Sequence, residues 1–151
     1  MIYLKKIKFI KQLDEKDCGP VCMAMIANYY GLDISITKLR EYGGTDLQGT
    51  NILGLMKIAE KLGFNADGVR AEKLESLYEI NVPAIAHIVT KEGFQHFVII
   101  ERVKNNKVII VDPAIGRGEQ TLEEFSKSWT GVLVLISKNE YFQKGDKSIK
   151  F

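Results

Sequence analysis

Long apolar runs are the first thing that this 151-residue sequence lacks. Its apolar runs, such as FVII and VLVLI, have the length of a strand, far below the roughly 20 apolar residues of a membrane-spanning helix. The beginning, MIYLKKIKFIKQ, mixes lysines with apolar residues and lacks the order of regions that defines a signal peptide. We therefore expect this chain to be cytoplasmic.

A large excess of charge of one sign is also missing. The formal net charge is only +2, and binding of nucleic acid would require a concentrated basic face. We therefore expect no nucleic-acid partner. Only three prolines occur, and we find neither repeats nor an internal linker. The length fits one domain with a substantial core.

Cysteine is nearly absent, with Cys18 and Cys22 as the only two. They lie one turn apart on a predicted helix, where their Cβ atoms point the same way and suit a disulfide poorly. A pair of reduced thiols is the expected state in a cytosolic protein.

Helical patterns fill the first half of the sequence. The segment CGPVCMAMIANYYG follows Asp17, a residue type that caps helices, and ends at Gly31. The segment TNILGLMKIAEKLG has an apolar stripe at helical spacing, with Thr50 as its expected cap and Gly63 as its end.

Strand patterns fill the second half. PAIAHIVT, FQHFVIIERV, KVIIVD and GVLVLIS are rich in β-branched residues, and the last two are separated by a short helix that begins with a capping box from Thr121 to Glu124. Helices followed by an antiparallel sheet define the α+β class. The polar segment after Ser137 has the composition of an exit linker.

Cys18 is the first candidate for chemistry. Unpaired N–H groups and the helix dipole favour negative charge in the first helical turn, and the thiolate is the reactive form of cysteine. Position alone is weak, because a cysteine before an apolar helix more often serves packing.

Three further side chains could complete a nucleophilic site. His96 enters a strand just after a turn and is a better base than His87, which lies in mid-strand between apolar residues. Asp112 ends the strand KVIIVD and could orient the histidine, although an aspartate before proline is also a common turn residue. Gln12 precedes the predicted helix and could donate to an oxyanion together with the Cys18 N–H.

The hairpin between the two central strands tests this arrangement. With a two-residue Asn105-Asn106 turn, Asp112 lies opposite Ile99, which puts His96 on the other face of the sheet. With one extra residue in the first strand or the turn, Asp112 lies opposite Val98 and shares a face with His96. The site hypothesis therefore predicts a three-residue loop or a bulge.

The segment QLDEKDCGPVCMAMIANYYG, with HFVII and VDP at fitting distances, resembles the N-terminal peptidase domain of peptide-exporting ABC transporters. These are papain-like, bacteriocin-processing cysteine peptidases, and the similarity extends from about Lys11 to Ser137. It implies that Cys18 is the nucleophile, that His96 is the base oriented by Asp112, and that Gln12 contributes to the oxyanion hole. Because Cys18 is present, the resemblance implies an active enzyme that needs no cofactor or metal.

The family removes a leader from a secreted peptide by cutting after a Gly-Gly or Gly-Ala type site, coupled to export. The implied partner is a precursor whose leader is an amphipathic helix that needs an apolar groove. We select Leu47, Leu53 and Met56 as candidates for that groove; Leu53 and Met56 could equally be core residues.

The resemblance also implies membrane and ATPase domains of a transporter. This sequence contains neither, and it has no phosphate-binding G-x-x-x-x-G-K-[ST] loop. We expect a peptidase domain at residues 1–137 and a linker at residues 138–151 toward the absent transporter domain, which favours an excised domain over a stand-alone peptidase. The alternatives are another papain-like acyl transferase, a catalytically silent leader-binding module, a zinc site and a purely structural domain.

Overall fold

The computed structural model describes residues 5–46 and 49–147. Its elements in chain order are α1 (Cys18–Tyr30), β1 (Leu32–Ile34), α2 (Ile36–Gly43), α3 (Ile52–Leu62), β2 (Phe64–Arg70), β3 (Ala84–Val89), β4 (Gln95–Lys104), β5 (Lys107–Asp112), β6 (Gly116–Thr121), α4 (Leu122–Ser126), β7 (Trp129–Lys138) and β8 (Gly145–Lys147). Short 3-10 turns cover Glu15–Asp17 and Leu74–Tyr78. None of the helices in these two ranges is long and apolar enough to cross a membrane.

A six-stranded sheet in the order β2-β7-β3-β4-β5-β6 forms the second half of the molecule, with antiparallel neighbours throughout. Alternate residues of its central strands enter two different apolar clusters. Ile99 and Val111 pack with α1 and α3, whereas Val98 and Ile110 pack with Phe125 of α4. The predicted α+β class, with a helical first half on an antiparallel sheet, is confirmed.

The chain after β7 contacts the domain. Phe142 packs on Tyr30 and Phe64, and β8 pairs with β1 in parallel. These contacts fix the path of residues 139–147, while the role of residues 138–151 as a linker stays a proposal.

Two expected helix caps differ in the structure. The cap of α3 is Asn51, whose side chain accepts from the N–H of Gly54, while the hydroxyl of the expected cap, Thr50, pairs with that of Thr45. Asp17 occupies the cap position of α1 but makes no capping bond there, because its carboxylate binds the guanidinium of Arg40.

The hairpin of β4 and β5 combines a two-residue turn with a bulge. Asn105 and Asn106 both have positive φ, and the pairing shifts between Ile100 and Arg102, which leaves Glu101 as the extra residue. Beyond the bulge, Ile99 pairs with Val111. Asp112 therefore shares a face with His96, as the site hypothesis requires, and the prediction of a bulge is confirmed.

Gly54 provides a test of the close approach of α2 and α3. A Cβ at this position would lie 2.5 Å from the backbone oxygen of Gly43. We expect Gly54→Ala to lower the free energy of unfolding by about 1–3 kcal/mol, although alanine normally stabilises a helix by up to about 1 kcal/mol over glycine. Urea unfolding measures the change.

Gly118→Ala is the matched control, because open space surrounds this glycine. It should leave stability within about 0.5 kcal/mol. A Gly54→Ala protein as stable as the original would contradict the described helix contact.

Candidate active site

Cys18 is the first residue of α1 and lies where the helical half of the molecule meets the sheet. Its side chain is 8% exposed, which leaves the sulfur at the floor of a cleft. The buried carboxylate of Asp17 binds Arg40 of α2 through two hydrogen bonds, one of them 2.7 Å from Nε to Oδ1. This ion pair fixes the start of α1 and neutralises a negative charge beside the thiol.

His96 and Asp112 lie at the end of the sheet where β4 begins and β5 ends. The imidazole Nε2 is 2.7 Å from Asp112 Oδ1. Because the carboxylate takes Nε2, Nδ1 is the ring nitrogen left for the Cys18 thiol, which lines the same cleft and raises the pKa of the imidazole. The structure therefore brings the three predicted residues together.

The charge on His96 is set by opposing effects. Burial lowers its pKa, but the hydrogen bonds and negative charges of Asp112 and Cys18 outweigh burial and raise the pKa to about 9. The ring is therefore protonated at neutral pH, which suits a thiolate–imidazolium pair.

Asp112 makes both kinds of contact that its sequence context suggested. Its Oδ1 accepts from His96 and from the N–H of Ala114 at 2.8 Å, and its carbonyl accepts from Ile115. The turn after the strand thus holds the carboxylate in position for the histidine.

Gln12 reaches the same place from the N-terminal segment. Its backbone N–H donates to the carbonyl of Pro113 at 2.8 Å, and its side-chain Nε2 donates to the carbonyl of Asp14 at 3.3 Å. The side chain lines the cleft that contains Cys18. The second hydrogen on Gln12 Nε2 has no acceptor among the described residues, so it can donate to a substrate oxygen.

The cleft has a volume of about 1440 Å³ and runs between the helices and the sheet. Near Cys18 its helical wall includes Gly43, Gly44 and Gly49, which present backbone without side chains. A wall without side chains lets the backbone of a substrate approach it closely.

Three exposed apolar side chains surround the cleft. Leu53, Phe94 and Ile115 line it and are 68%, 69% and 83% exposed. Of the groove residues selected from the sequence, Leu53 lines this cleft, Met56 packs against the core cluster, and Leu47 falls outside the described residues.

Sequence reasoning missed Phe94 and Ile115. Both are apolar residues in turns, two and three positions from His96 and Asp112. The sequence signal that could have identified them is an apolar side chain in a turn next to a candidate catalytic residue.

His87 also lines the cleft, which the sequence did not indicate. Its ring nitrogens lie 3.0 Å from Thr130 Oγ1 and 3.1 Å from Gln95 Oε1, and burial lowers its pKa. A histidine held between two neutral side chains lacks the carboxylate partner that His96 has.

A zinc site has no support in the described ranges. Within them, no group of three or more histidine, cysteine or acidic side chains is placed to hold a metal ion. Cys22 is fully buried with its sulfur 3.5 Å from the carbonyl of Phe97, four residues deeper in the helix than Cys18.

The sequence is similar to those of peptide-processing and transport proteins. The chain is 48% identical over 136 residues to the lactococcin-G-processing and transport ATP-binding protein LagD of Lactococcus lactis, covering 89% of this chain and 19% of that protein. It is 33% identical over 145 residues to the mesentericin-Y105 transport/processing protein MesD of Leuconostoc mesenteroides, covering 94% and 20%. The chain thus spans about a fifth of the length of these relatives.

Solved structures agree with the sequence matches. The peptidase domain of Streptococcus ComA, a bi-functional ABC transporter involved in quorum sensing, superposes with a TM-score of 0.81 at 32% identity, covering 89% of this chain and 98% of that one. A double glycine motif protease from an AMS/PCAT transporter, solved with its leader peptide, gives 0.81 at 31% identity, covering 89% and 93%. The family model of peptidase C39 matches residues 6–141, and the chain belongs to the peptidase C39 family.

Proposed function

We propose that this chain is a cysteine endopeptidase that removes the leader from secreted peptide precursors, cutting after a Gly-Gly or Gly-Ala type site. The observation that carries the proposal is the hydrogen bond of His96 to Asp112 in a cleft that Cys18 also lines, where the thiol and the carboxylate both raise the pKa of the imidazole. A protease of similar structure was solved with a leader peptide, which supports the substrate class.

The chemistry follows from these positions. The Cys18 thiolate attacks the carbonyl carbon of the scissile peptide, and the resulting oxyanion accepts hydrogen bonds from Gln12 Nε2 and the N–H of Cys18. The His96 imidazolium then gives its proton to the leaving amine, which departs as the mature peptide.

The remaining thioester is resolved by water. Neutral His96 takes a proton from the water as it attacks the thioester carbonyl, and collapse of the second tetrahedral intermediate releases the leader carboxylate and Cys18. Asp112 keeps the imidazole in the tautomer and orientation that both proton transfers need.

The leader would bind along the rim of the cleft. Leu53, Phe94 and Ile115 offer apolar contacts on both sides of the active site, and an amphipathic leader helix has an apolar face to bury against them. The whole protein is proposed to combine this domain with the membrane and ATPase domains of a transporter, and cleavage would then take place on the cytoplasmic side. Residues 138–151 would connect the parts.

The first test replaces the two cysteines in turn. Cys18→Ala should abolish release of the leader from a synthetic Gly-Gly precursor, because no other thiol reaches His96, while binding of the precursor persists. Cys22→Ala is the matched control and should cleave at a rate near that of the original protein. Mass spectrometry measures cleavage, and fluorescence anisotropy measures binding.

A different outcome would favour the silent binding module. If the original protein and Cys18→Ala bind the precursor equally and neither releases leader, the peptidase proposal fails.

The pH dependence tests the shifted pKa of His96. The folded value of about 9 lies above the ordinary 6.5, so the imidazolium persists through neutral pH and is lost as the pH rises through about 9. We expect kcat/KM for precursor cleavage to fall above about pH 9, since neutral His96 cannot protonate the leaving amine. Alkylation of Cys18, which needs only the thiolate, should not fall there.

Asp112→Asn should move this decline to lower pH, because the carboxylate is the strongest influence that raises the pKa of His96. Asp67→Asn, at an exposed carboxylate outside the cleft, is the control and should leave the profile unchanged. An Asp112→Asn enzyme with an unshifted alkaline limb would contradict the assigned role of Asp112.

The leader groove is tested at Leu53. Leu53→Gln should raise KM for the precursor about tenfold with little change in kcat, because burial of a leucine stabilises a complex by about 1.5–3 kcal/mol. Tyr141→Gln, at a residue that is also exposed but lies outside the cleft, should leave KM unchanged. Equal KM values for the two variants would remove Leu53 from the groove.

A further inference from the structure

The segment that carries Gln12 has no regular structure of its own. Residues 5–12 belong to neither a helix nor a strand, so no ladder of hydrogen bonds fixes them. The position of the Gln12 side chain therefore depends on where the segment is anchored.

One anchor is the pair formed by Glu101 and Arg117. The guanidinium Nε and Nη2 of Arg117 lie 2.9 and 2.6 Å from the two carboxylate oxygens of Glu101. The Glu101 side chain is only 9% exposed, which makes this pair unlike an ordinary surface ion pair.

The same two side chains bind both backbone polar groups of Ile7. The N–H of Ile7 donates to Glu101 Oε2 at 2.7 Å, and its carbonyl accepts from Arg117 Nη2 at 2.5 Å. The Ile7 side chain is buried in the core at this point. Ile7 is thereby held in the way that a neighbouring strand would hold it.

The other anchor is the bond from the N–H of Gln12 to Pro113, next to Asp112. The Gln12 amide has little else to hold it, since Nε2 makes one long bond of 3.3 Å and Oε1 is buried without a partner among the described residues. The amide therefore keeps its aim only if the backbone between Ile7 and Gln12 is held at both ends.

We propose that Glu101 and Arg117 are positioning residues that hold the N-terminal segment through Ile7 and so keep the Gln12 amide aimed at the oxyanion. This inference rests on the proposed function, in which Gln12 is an oxyanion donor. Neither residue touches Cys18, His96 or Asp112 in the structure, so loss of the pair acts on the oxyanion hole and leaves the nucleophile intact.

The experiment compares Arg117→Gln and Glu101→Gln with the original protein in three measurements. Alkylation of Cys18 by iodoacetamide reports the thiolate and its histidine. Precursor cleavage gives kcat and KM, and inhibition by a leader-derived peptide aldehyde reports the oxyanion hole, because the thiol adduct carries a tetrahedral oxygen.

We expect kcat of both variants to fall about tenfold or more, with KM nearly unchanged. The loss should not exceed the 10²–10³-fold fall in kcat that follows removal of an oxyanion donor. Aldehyde affinity should fall by the same factor, and the alkylation rate should stay the same. Arg117→Lys, which keeps the charge and one donor, should recover part of the loss.

The matched control is Glu119→Gln. Glu119 pairs with Lys107 at 4.0 Å on the same sheet, but this exposed pair makes no contact with the N-terminal segment. All three measurements should match those of the original protein.

Combination with Gln12→Ala decides whether the pair acts through Gln12. In that background, Arg117→Gln should cause no further loss of kcat. Additive losses, an unchanged kcat in both single variants, or a parallel fall in the alkylation rate would overturn the inference. If Gln12→Ala itself has no effect on kcat or aldehyde affinity, the oxyanion assignment in the proposed function fails instead.

Discussion

One unpaired residue in β4 places His96 and Asp112 on the same face of the sheet. Side chains alternate between the faces of a strand, so a shift of one residue moves every later side chain to the other face. The extra residue Glu101 makes that shift between the Asn105-Asn106 turn and the active-site end of the hairpin. Without it, Asp112 would face away from His96, and the imidazole would lack the carboxylate that keeps it charged.

The thiol comes from the other half of the molecule and needs separate positioning. The N-terminus of α1 is fixed by the Asp17–Arg40 pair, and the sulfur of Cys22 meets the carbonyl of Phe97, the residue after His96. The first contact joins the start of α1 to α2, and the second joins α1 to β4 one turn beyond Cys18. Loss of Arg40 would leave the Asp17 carboxylate as a buried and unpaired charge, which is far costlier than the loss of a surface ion pair.

Much of this arrangement could be predicted from the sequence because its signals are local. The helix that begins at Cys18 and the capping box of Thr121 and Glu124 follow from short-range rules, and both are present. The sequence was compatible with either a three-residue loop or a bulge in the hairpin of β4 and β5. Type I′ turns accept asparagine at both central positions, so the turn kept two residues and the extra residue moved into the strand.

Features that depend on distant partners could not be predicted in this way. The strand β6, with the sequence GRGEQT, is polar and contains two glycines, and it is a strand because it pairs along β5 at the edge of the sheet. Asp17 has the residue type of a helix cap, yet an arginine 23 positions away takes its carboxylate. Helical periodicity also left open whether Leu53 and Met56 face a cleft or the core; Leu53 lines the cleft, whereas Met56 packs against the core.

The two cysteines show how little separates a reactive thiol from an inert one. They are four residues apart on one helix, but Cys22 is fully enclosed and touches a carbonyl, whereas Cys18 meets an imidazole that is charged at neutral pH. Burial raises the pKa of Cys22 well above its ordinary value, and the negative charges of Cys18 and Asp112 raise it further. The anions that make the His96 imidazolium stable therefore oppose ionisation of the second thiol. The proposal of Cys18 as the nucleophile fits this difference, because the positive charge of His96 lies in the cleft that Cys18 lines.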